Sequence, residues 1–470
     1  MRSKKPFAIL SIITVLKISA FWPSLASSEI SIWKYRPIKK TLANGLTFIY
    51  QQDESSALTV LYILIKGGKR AAPPEKRGLS YLTTRLAVEI PDKGKIQALM
   101  NQASRVTVGT KGDYSFIKIS CLSESLEETL KIVIKIMTKP LFSGLRLKSI
   151  KEQMLNYKKT AEDDPLPKAH TLFLDSLIAD KGYGGSVYGG EDTLKKIEKK
   201  DAVSFYQNYF KGFNIIAAVS SNLTQEKLLD ICRPYLEKFE KGNSASLIQL
   251  NYPSNKNEKQ IFIAKEAKQT LVSLGYPLPE MTAKNSVMAF ILENFLGKGP
   301  GSKLWPLRQQ QKLAYNVDCR VTEMKEGGLL EAYLETDQAK VATALVSLKK
   351  ILNKLCEEGL TEDEFRAAKI QSKASFLRNM ETKENRALNL AAFEALGLGY
   401  NFLDNFFEEL AKITLNDINS YLRQVLNPDQ VVEVIIGPQE KRSFRLGSLK
   451  SSSGILQRGK WSRTCKAYRR

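Results

Sequence analysis

The sequence predicts an α+β fold in two similar halves, each a mainly antiparallel sheet covered by helices. Three observations predict it. Strand-like apolar runs open and close each half, with helical patterns between them. The order of these elements recurs along the chain. A segment rich in Ser, Asn, Gly and Pro, EKGNSASLIQLNYPSNK (240–256), lies between the two series and reads as a linker. The chain has 470 residues. Each half therefore spans roughly 200 residues, enough to bury its own core.

In the first half, apolar β-rich segments at 41–50 and 57–66 precede a helical pattern at 75–90. Leu79, Leu82 and Leu86 recur there at helical spacing. The run DYSFIKISCL (113–122) reads as a strand, and helical segments follow at 124–138, 145–160, 167–180 and 199–210. FNIIAAVSS (213–221) closes the half as a strand. In the second half, strands at 259–265 and 269–276 precede a helix at 283–297, and strands follow at 314–323 and 327–335. Helices at 338–357, 361–379, 383–397 and 414–426 come next, and VVEVIIG (431–437) closes the half. The closing units match best. DAVSFYQNYFKGFNIIAAV and LNDINSYLRQVLNPDQVVEVIIG each start a helix with an acid, place aromatic positions on one face and end in a buried strand. Within each half the helices are expected on one face of the sheet.

Composition excludes several function classes. There is one histidine, His170, so no H-x-x-E-H or similar zinc motif can be built. Hydrophobic residues at 43% and charged residues at 26% fit a folded globular protein. Of the net charge of +22, residues 1–26 contribute +4 and residues 441–470 contribute +10, leaving +8 for the body. The basic tail reads as a solvated like-charge block, with anionic lipid or nucleic acid as its alternative partner. Cys121, Cys232, Cys319, Cys356 and Cys465 are odd in number and widely spaced, which is neither a disulfide framework nor a metal cluster. GKGPGSK (297–303) lacks the phosphate-loop spacing, so no nucleotide site is expected.

The N-terminus reads as an export signal. RSKK (2–5) is followed by the apolar run FAILSIITVL (7–16) and by PSLA (23–26), with small residues placed for a cut after Ala26. The apolar run is short of the roughly 20 residues of a membrane span, so no stable span is expected after cleavage. The expected domains are a signal peptide (1–26), an N-terminal domain (36–245), a linker (246–256), a C-terminal domain (257–440) and a basic tail (441–470).

Several motifs fall in a recognisable order: TLANGLTFIY (41–50), KGGKR (66–70), PPEKRGLSYLTTRL (73–86), AEDDP (161–165), YGGSVYGGEDTL (183–194) and GSKLWPLRQQQKLAYNV (301–317). Through them the chain resembles the insulinase/pitrilysin family of metallopeptidases. The likeness is to the two-domain branch of processing-peptidase subunits and bacterial periplasmic relatives, and covers nearly all of residues 36–440. The resemblance implies the LuxS/processing-peptidase-like metallopeptidase fold. It also implies a helix after Gly78-Leu79 carrying H-x-x-E-H, whose two histidines bind zinc and whose Glu activates water. Here Tyr81 and Arg85 stand at the two His positions and Thr84 at the Glu position. Tyr157 stands at the position of the third ligand, eight residues before Pro165. A phenol, a hydroxyl and a guanidinium do not bind Zn²⁺ at neutral pH.

A second family signature is kept. The resemblance implies that Arg308 and Tyr315, after the loop Gly297, Gly299 and Gly301, hold peptide backbone near the scissile carbonyl. Lys312 and Gln311 depart from it, standing where relatives usually carry a Gly and a basic residue. The implied function is a non-catalytic subunit of a periplasmic zinc metallopeptidase in a Gram-negative bacterium. Such a chain has no cofactor or catalytic residue of its own. It pairs with a homologous zinc-bearing subunit and acts on a peptide or unfolded-protein substrate, with no role for nucleic acid. The alternative is a peptidase-like scaffold or peptide-binding protein without a catalytic partner, as in the core subunits of respiratory cytochrome bc complexes.

Overall fold

The computed structural model describes residues 34–243 and 260–438. The expected signal segment, linker and basic tail lie outside them. The first half runs β1 (Ile38–Thr41), β2 (Thr47–Gln52), β3 (Leu58–Lys66), α1 (Leu79–Leu86), α2 (Lys93–Asn101), β4 (Arg105–Thr110), β5 (Tyr114–Leu122), α3 (Leu126–Thr138), α4 (Gly144–Asp163), α5 (Pro165–Leu177), α6 (Glu191–Lys196), α7 (Lys199–Tyr209), β6 (Ile215–Ser221) and α8 (Gln225–Leu236). The second runs β7 (Gln260–Ala264), β8 (Thr270–Leu278), α9 (Ala283–Leu296), the single turn α10 (Pro306–Gln309), β9 (Asn316–Met324), β10 (Gly327–Thr336), α11 (Val341–Glu358), α12 (Glu362–Asn379), α13 (Lys383–Leu396), α14 (Phe402–Lys412), α15 (Leu415–Val425) and β11 (Val432–Gly437).

The two sheets have the same plan. Their orders are β1-β2-β6-β3-β5-β4 and β7-β11-β8-β10-β9. In each, one pair is parallel (β2 with β6, β7 with β11) and the central pairs are antiparallel. The first sheet adds only β1, paired antiparallel to β2. The recurring element order read from the sequence is thus a recurring strand topology.

The placement of helices corrects one expectation. Each sheet is covered on both faces, and the second cover comes from the other half. One face of the first sheet (Phe48, Leu61, Ile63, Ile117, Val219) packs in a core with residues of α1, α3, α7 and α8. The other (Ile49, Tyr62, Leu64, Ile216, Ala218) joins a core containing Leu390 and Ala391 of α13. Reciprocally, α5 of the first half lays Ala169, Phe173 and Leu174 into a core with Leu271, Val434 and Ile436 of the second sheet. A Cβ on Gly275 would come within 2.3 Å of the Phe173 ring, so β8 accepts α5 through its lack of a side chain there. The physical reason is in the central strands. β3, β6, β8 and β11 are buried almost throughout, and strands apolar on both sides need two covers.

Ion pairs reinforce the docking. Arg386 of α13 pairs with Asp53, and the Lys383 ammonium donates to the Leu58 carbonyl at 3.0 Å. Arg70 bridges Asp113 of its own half (3.2 Å) and Glu326 of the other (2.5 Å). His170 of α5 hydrogen-bonds the buried Glu331 of β10 at 2.8 Å, and Arg320 also holds that carboxylate. The histidine is thus a packing residue between halves. Asp164 caps α5 by accepting from the Leu166 N–H.

Candidate functional site

The first candidate cluster is built on α1. Gly78 precedes the helix at φ 103°, and a Cβ there would sit 2.9 Å from Leu194 and 3.0 Å from the Tyr188 carbonyl oxygen. Glycine is therefore required both for conformation and for space. Leu79, Leu82 and Leu86 point into the core as their spacing predicts. The Ser80 hydroxyl donates to the Gly68 carbonyl at 2.6 Å, tying the helix to the KGGKR loop.

The four positions that the resemblance assigns to a zinc site hold groups with partners of their own. Tyr81 is 7% exposed. Its ring meets Tyr188 edge-on at 5.0 Å and Tyr157 edge-on at 6.5 Å, and Tyr157 lies 5.5 Å from Tyr188. The structure thus brings together the two positions that the sequence placed as first and third ligands, 76 residues apart. Burial, with smaller contributions from Tyr188 and Tyr157, pushes the Tyr81 phenol up to about 12. Burial also raises Tyr188. Both are neutral phenols at pH 7 and offer no anionic oxygen to a metal.

Thr84 is fully buried and donates to the Ser80 carbonyl one turn back at 2.7 Å. Arg85 pairs with Glu89 at 2.6 Å, and Arg146 reaches the same carboxylate at 3.3 Å. These residues do not fit zinc. Among the described residues, no group of three or more His, Cys, Asp or Glu side chains is arranged to hold a metal ion. The residue that sequence reasoning missed is Tyr188. It sits in the quoted motif YGGSVYGGEDTL, yet only tertiary structure places it on Tyr81.

The loop carrying Tyr188 is pinned from below. The buried Lys69 ammonium donates to the Tyr183 carbonyl and, at 2.8 Å, to that of Gly185. Arg77 donates to the Gly182 carbonyl at 3.1 Å. Gly189 has φ 73°, and a Cβ there would strike the Arg77 carbonyl oxygen at 2.3 Å. Burial, with Arg77 adding repulsion, brings Lys69 down to about 7.

The second candidate cluster lies on the turn between α9 and β9. Gly297 is packed tightly, since a Cβ would meet the Asp318 carboxylate at 2.1 Å, whereas Gly299 and Gly301 have φ of 89° and 91° and open space around them. The Arg308 guanidinium stacks over the Trp305 ring at 4.9 Å, and the Trp305 indole N–H donates to Gln309 at 2.7 Å. Tyr315 is 54% exposed, and its hydroxyl donates to Asp337 at 2.9 Å. That hydrogen bond raises the phenol above its ordinary range. Lys312 has φ 51°, so the position where the resemblance leads one to expect Gly is left-handed here. A lysine holds a backbone conformation that L residues other than Asn and Asp seldom adopt. Both side chains thus stand outside the core, with their contacts in the second half.

Comparison with known proteins adds to this geometry. Residues 196–372 match the family model described as the peptidase M16 inactive domain. The chain is similar in sequence and fold to members of the insulinase/pitrilysin-type M16 family. It is 23% identical over 403 residues to the non-peptidase homolog YmxG of Helicobacter pylori, covering 84% of this chain and 92% of that one. It is 22% identical over 418 residues to an uncharacterized zinc protease of Streptomyces coelicolor, covering 87% and 91%. The crystal structure of a peptidase M16 inactive domain from Pseudomonas fluorescens superposes with a TM-score of 0.77 at 19% identity, over 87% of this chain and 99% of that one. The M16-type chain described here thus shares its fold with inactive relatives and its sequence with chains named for both conditions.

Proposed function

We propose that this M16 homologue is the non-catalytic subunit of an exported zinc metallopeptidase, lending Arg308 and Tyr315 to a chamber shared with an H-x-x-E-H-bearing homologue. One contrast carries this reading. Tyr81 and Thr84 are buried, and Tyr81 packs against Tyr157 and Tyr188, while Arg308 and Tyr315 stay exposed on the turn before β9. A guanidinium and a phenol donate hydrogen bonds to a carbonyl oxygen, and such bonds strengthen as that oxygen gains negative charge. The metal and the general base belong to the partner. Export to the periplasm rests on the signal pattern of residues 1–26.

The test is co-expression with an H-x-x-E-H homologue from the same genome. The reading predicts co-purification and peptidase activity of the pair that falls at least a hundredfold with Arg308→Ala, the scale of losing one transition-state donor. A second reading, a scaffold that works without a catalytic partner, is favoured by the relative named as a non-peptidase homolog. Absence of any co-purifying homologue would select it, whereas an active pair indifferent to Arg308→Ala would keep the pairing and remove the role given to Arg308.

A further inference from the structure

We propose that the cleft beside the Arg308 turn is a subsite for one uncharged, apolar side chain of an extended peptide. This deepens the reading above and rests on it. The cleft holds about 380 Å³ and is lined by Phe295, Ile351 and Ala368 on its apolar side, with Lys303, Glu364 and Gln371 around them. A volume at the low end of ligand sites, which run from roughly 300 to 1,000 Å³, suits a side chain rather than a folded element.

Charge selects the kind of side chain. Lys303 and Glu364 form an ion pair at 2.5 Å. Glu364 is further held by the Thr361 N–H at 3.0 Å, as the capping carboxylate of α12. The two charges cancel, and a charged ligand group would have to break the pair to gain a partner. Phe295 and Ala368 are buried, so an apolar group entering between them loses contact with water. Gln311 and Gln371 add primary amides, which both donate to and accept from a peptide backbone.

The walls are fixed before any ligand arrives. The Lys303 N–H donates to the Phe295 carbonyl at 2.8 Å, that of Gln311 to Pro306 at 2.9 Å and that of Leu313 to Leu307 at 2.9 Å. A preformed cleft costs little ordering on binding. Its position gives it meaning. Pro306 and Gln311 line the cleft and also bracket the turn that carries Arg308. A strand advances roughly 3.3 Å per residue. An extended peptide whose carbonyl meets Arg308 therefore places a side chain from a nearby residue at the cleft mouth.

The experiment uses the full chain and a fluorescein-labelled, Gly/Ser-rich peptide carrying a single Leu, Ala, Asp or Lys at one position. Binding is read by anisotropy, alone and with the H-x-x-E-H homologue. Wild type should prefer Leu over Ala by roughly tenfold, the scale of a few methylenes in an apolar pocket, and should disfavour Asp and Lys. Ala367→Phe fills the cleft from an exposed lining position and should erase the Leu preference while leaving Ala-peptide affinity in place. Ala367→Leu, a milder variant, should reduce it partly. Arg308→Ala should weaken all four peptides alike. A Leu preference that survives Ala367→Phe in a folded protein overturns the subsite while leaving the subunit reading standing. A wild-type dimer in gel filtration that Ala367→Phe abolishes, or Leu-peptide binding that emerges only when residues 441–470 are removed, overturns it by assigning the cleft to a second copy or to the tail. Failure of every peptide to bind, with or without the homologue, sinks the subunit reading itself.

Discussion

The α1 cluster and the Arg308 turn answer the same family pattern in opposite ways. Around α1 the side chains at the positions that the resemblance assigns to metal ligands contact one another and their own surroundings, with Tyr81 and Thr84 buried and Tyr157 45% exposed at the edge. Tyr81 meets Tyr157 and Tyr188 in T-shaped contacts, Tyr157 and Tyr188 meet at a tilt, Thr84 bonds its own helix and Arg85 bonds Glu89. On the turn, Arg308 and Tyr315 are held by Trp305 and Asp337 yet remain exposed. Tyr81 and Thr84 belong to the core, while Tyr157 and Arg85 border it. A site that presents donors to a neighbour keeps its exposure, and its residues contribute little to the fold. Stability should therefore reside in the first cluster and be nearly absent from the second.

The comparison can be broken most directly at Tyr81. Tyr81→Ala removes a buried ring with two edge contacts and should cost about 3–5 kcal/mol, the range for large aromatic truncations in a core. Urea denaturation measures it, and a cost below 1 kcal/mol would mean that the tyrosines are not core. Leu82→Ala on the same helix should cost about 2–5 kcal/mol, since Leu82 is fully buried.

Lys69 sharpens the same contrast through pH. Its folded value of about 7 lies below the unfolded 10.5, so the unfolded chain binds more protons between those limits. Stability should rise as pH increases from about 7 to 10.5 and level off below pH 7. Lys69→Met should flatten that slope in urea melts taken across the window; an unchanged slope would show that Lys69 is not its source. The smallest effects belong to the turn. Arg308→Ala and Tyr315→Phe should each shift stability by no more than about 0.5–1 kcal/mol. A larger loss in thermal or urea unfolding would make the pair structural.

Much of this was legible in the sequence, for identifiable reasons. α1 announced itself through Leu79, Leu82 and Leu86 on one stripe, and Gly78 marked its entry. The buried strands β3, β6 and β11 were plain apolar runs. Between residues 91 and 112 the sequence reading assigned nothing, yet α2 and β4 lie there. α2 buries only Leu99, and β4 is an edge strand with mostly half-buried residues, so neither carries a strong period. α8 and α14 are different. Leu228, Cys232 and Leu236 recur every four residues, as do Phe402, Phe406 and Leu410, and these stripes were readable. What no local pattern could supply was the exchange of α5 and α13 between halves, or Tyr188 closing on Tyr81. Both depend on segments far apart in the chain.

The most direct test of the account is the metal content of the purified full-length chain, measured by mass spectrometry after equilibration with zinc and gel filtration. The account predicts far less than one zinc per chain, unchanged by Tyr81→Ala. One tightly held zinc per chain, lost in Tyr81→Ala or Tyr157→Ala, would contradict it.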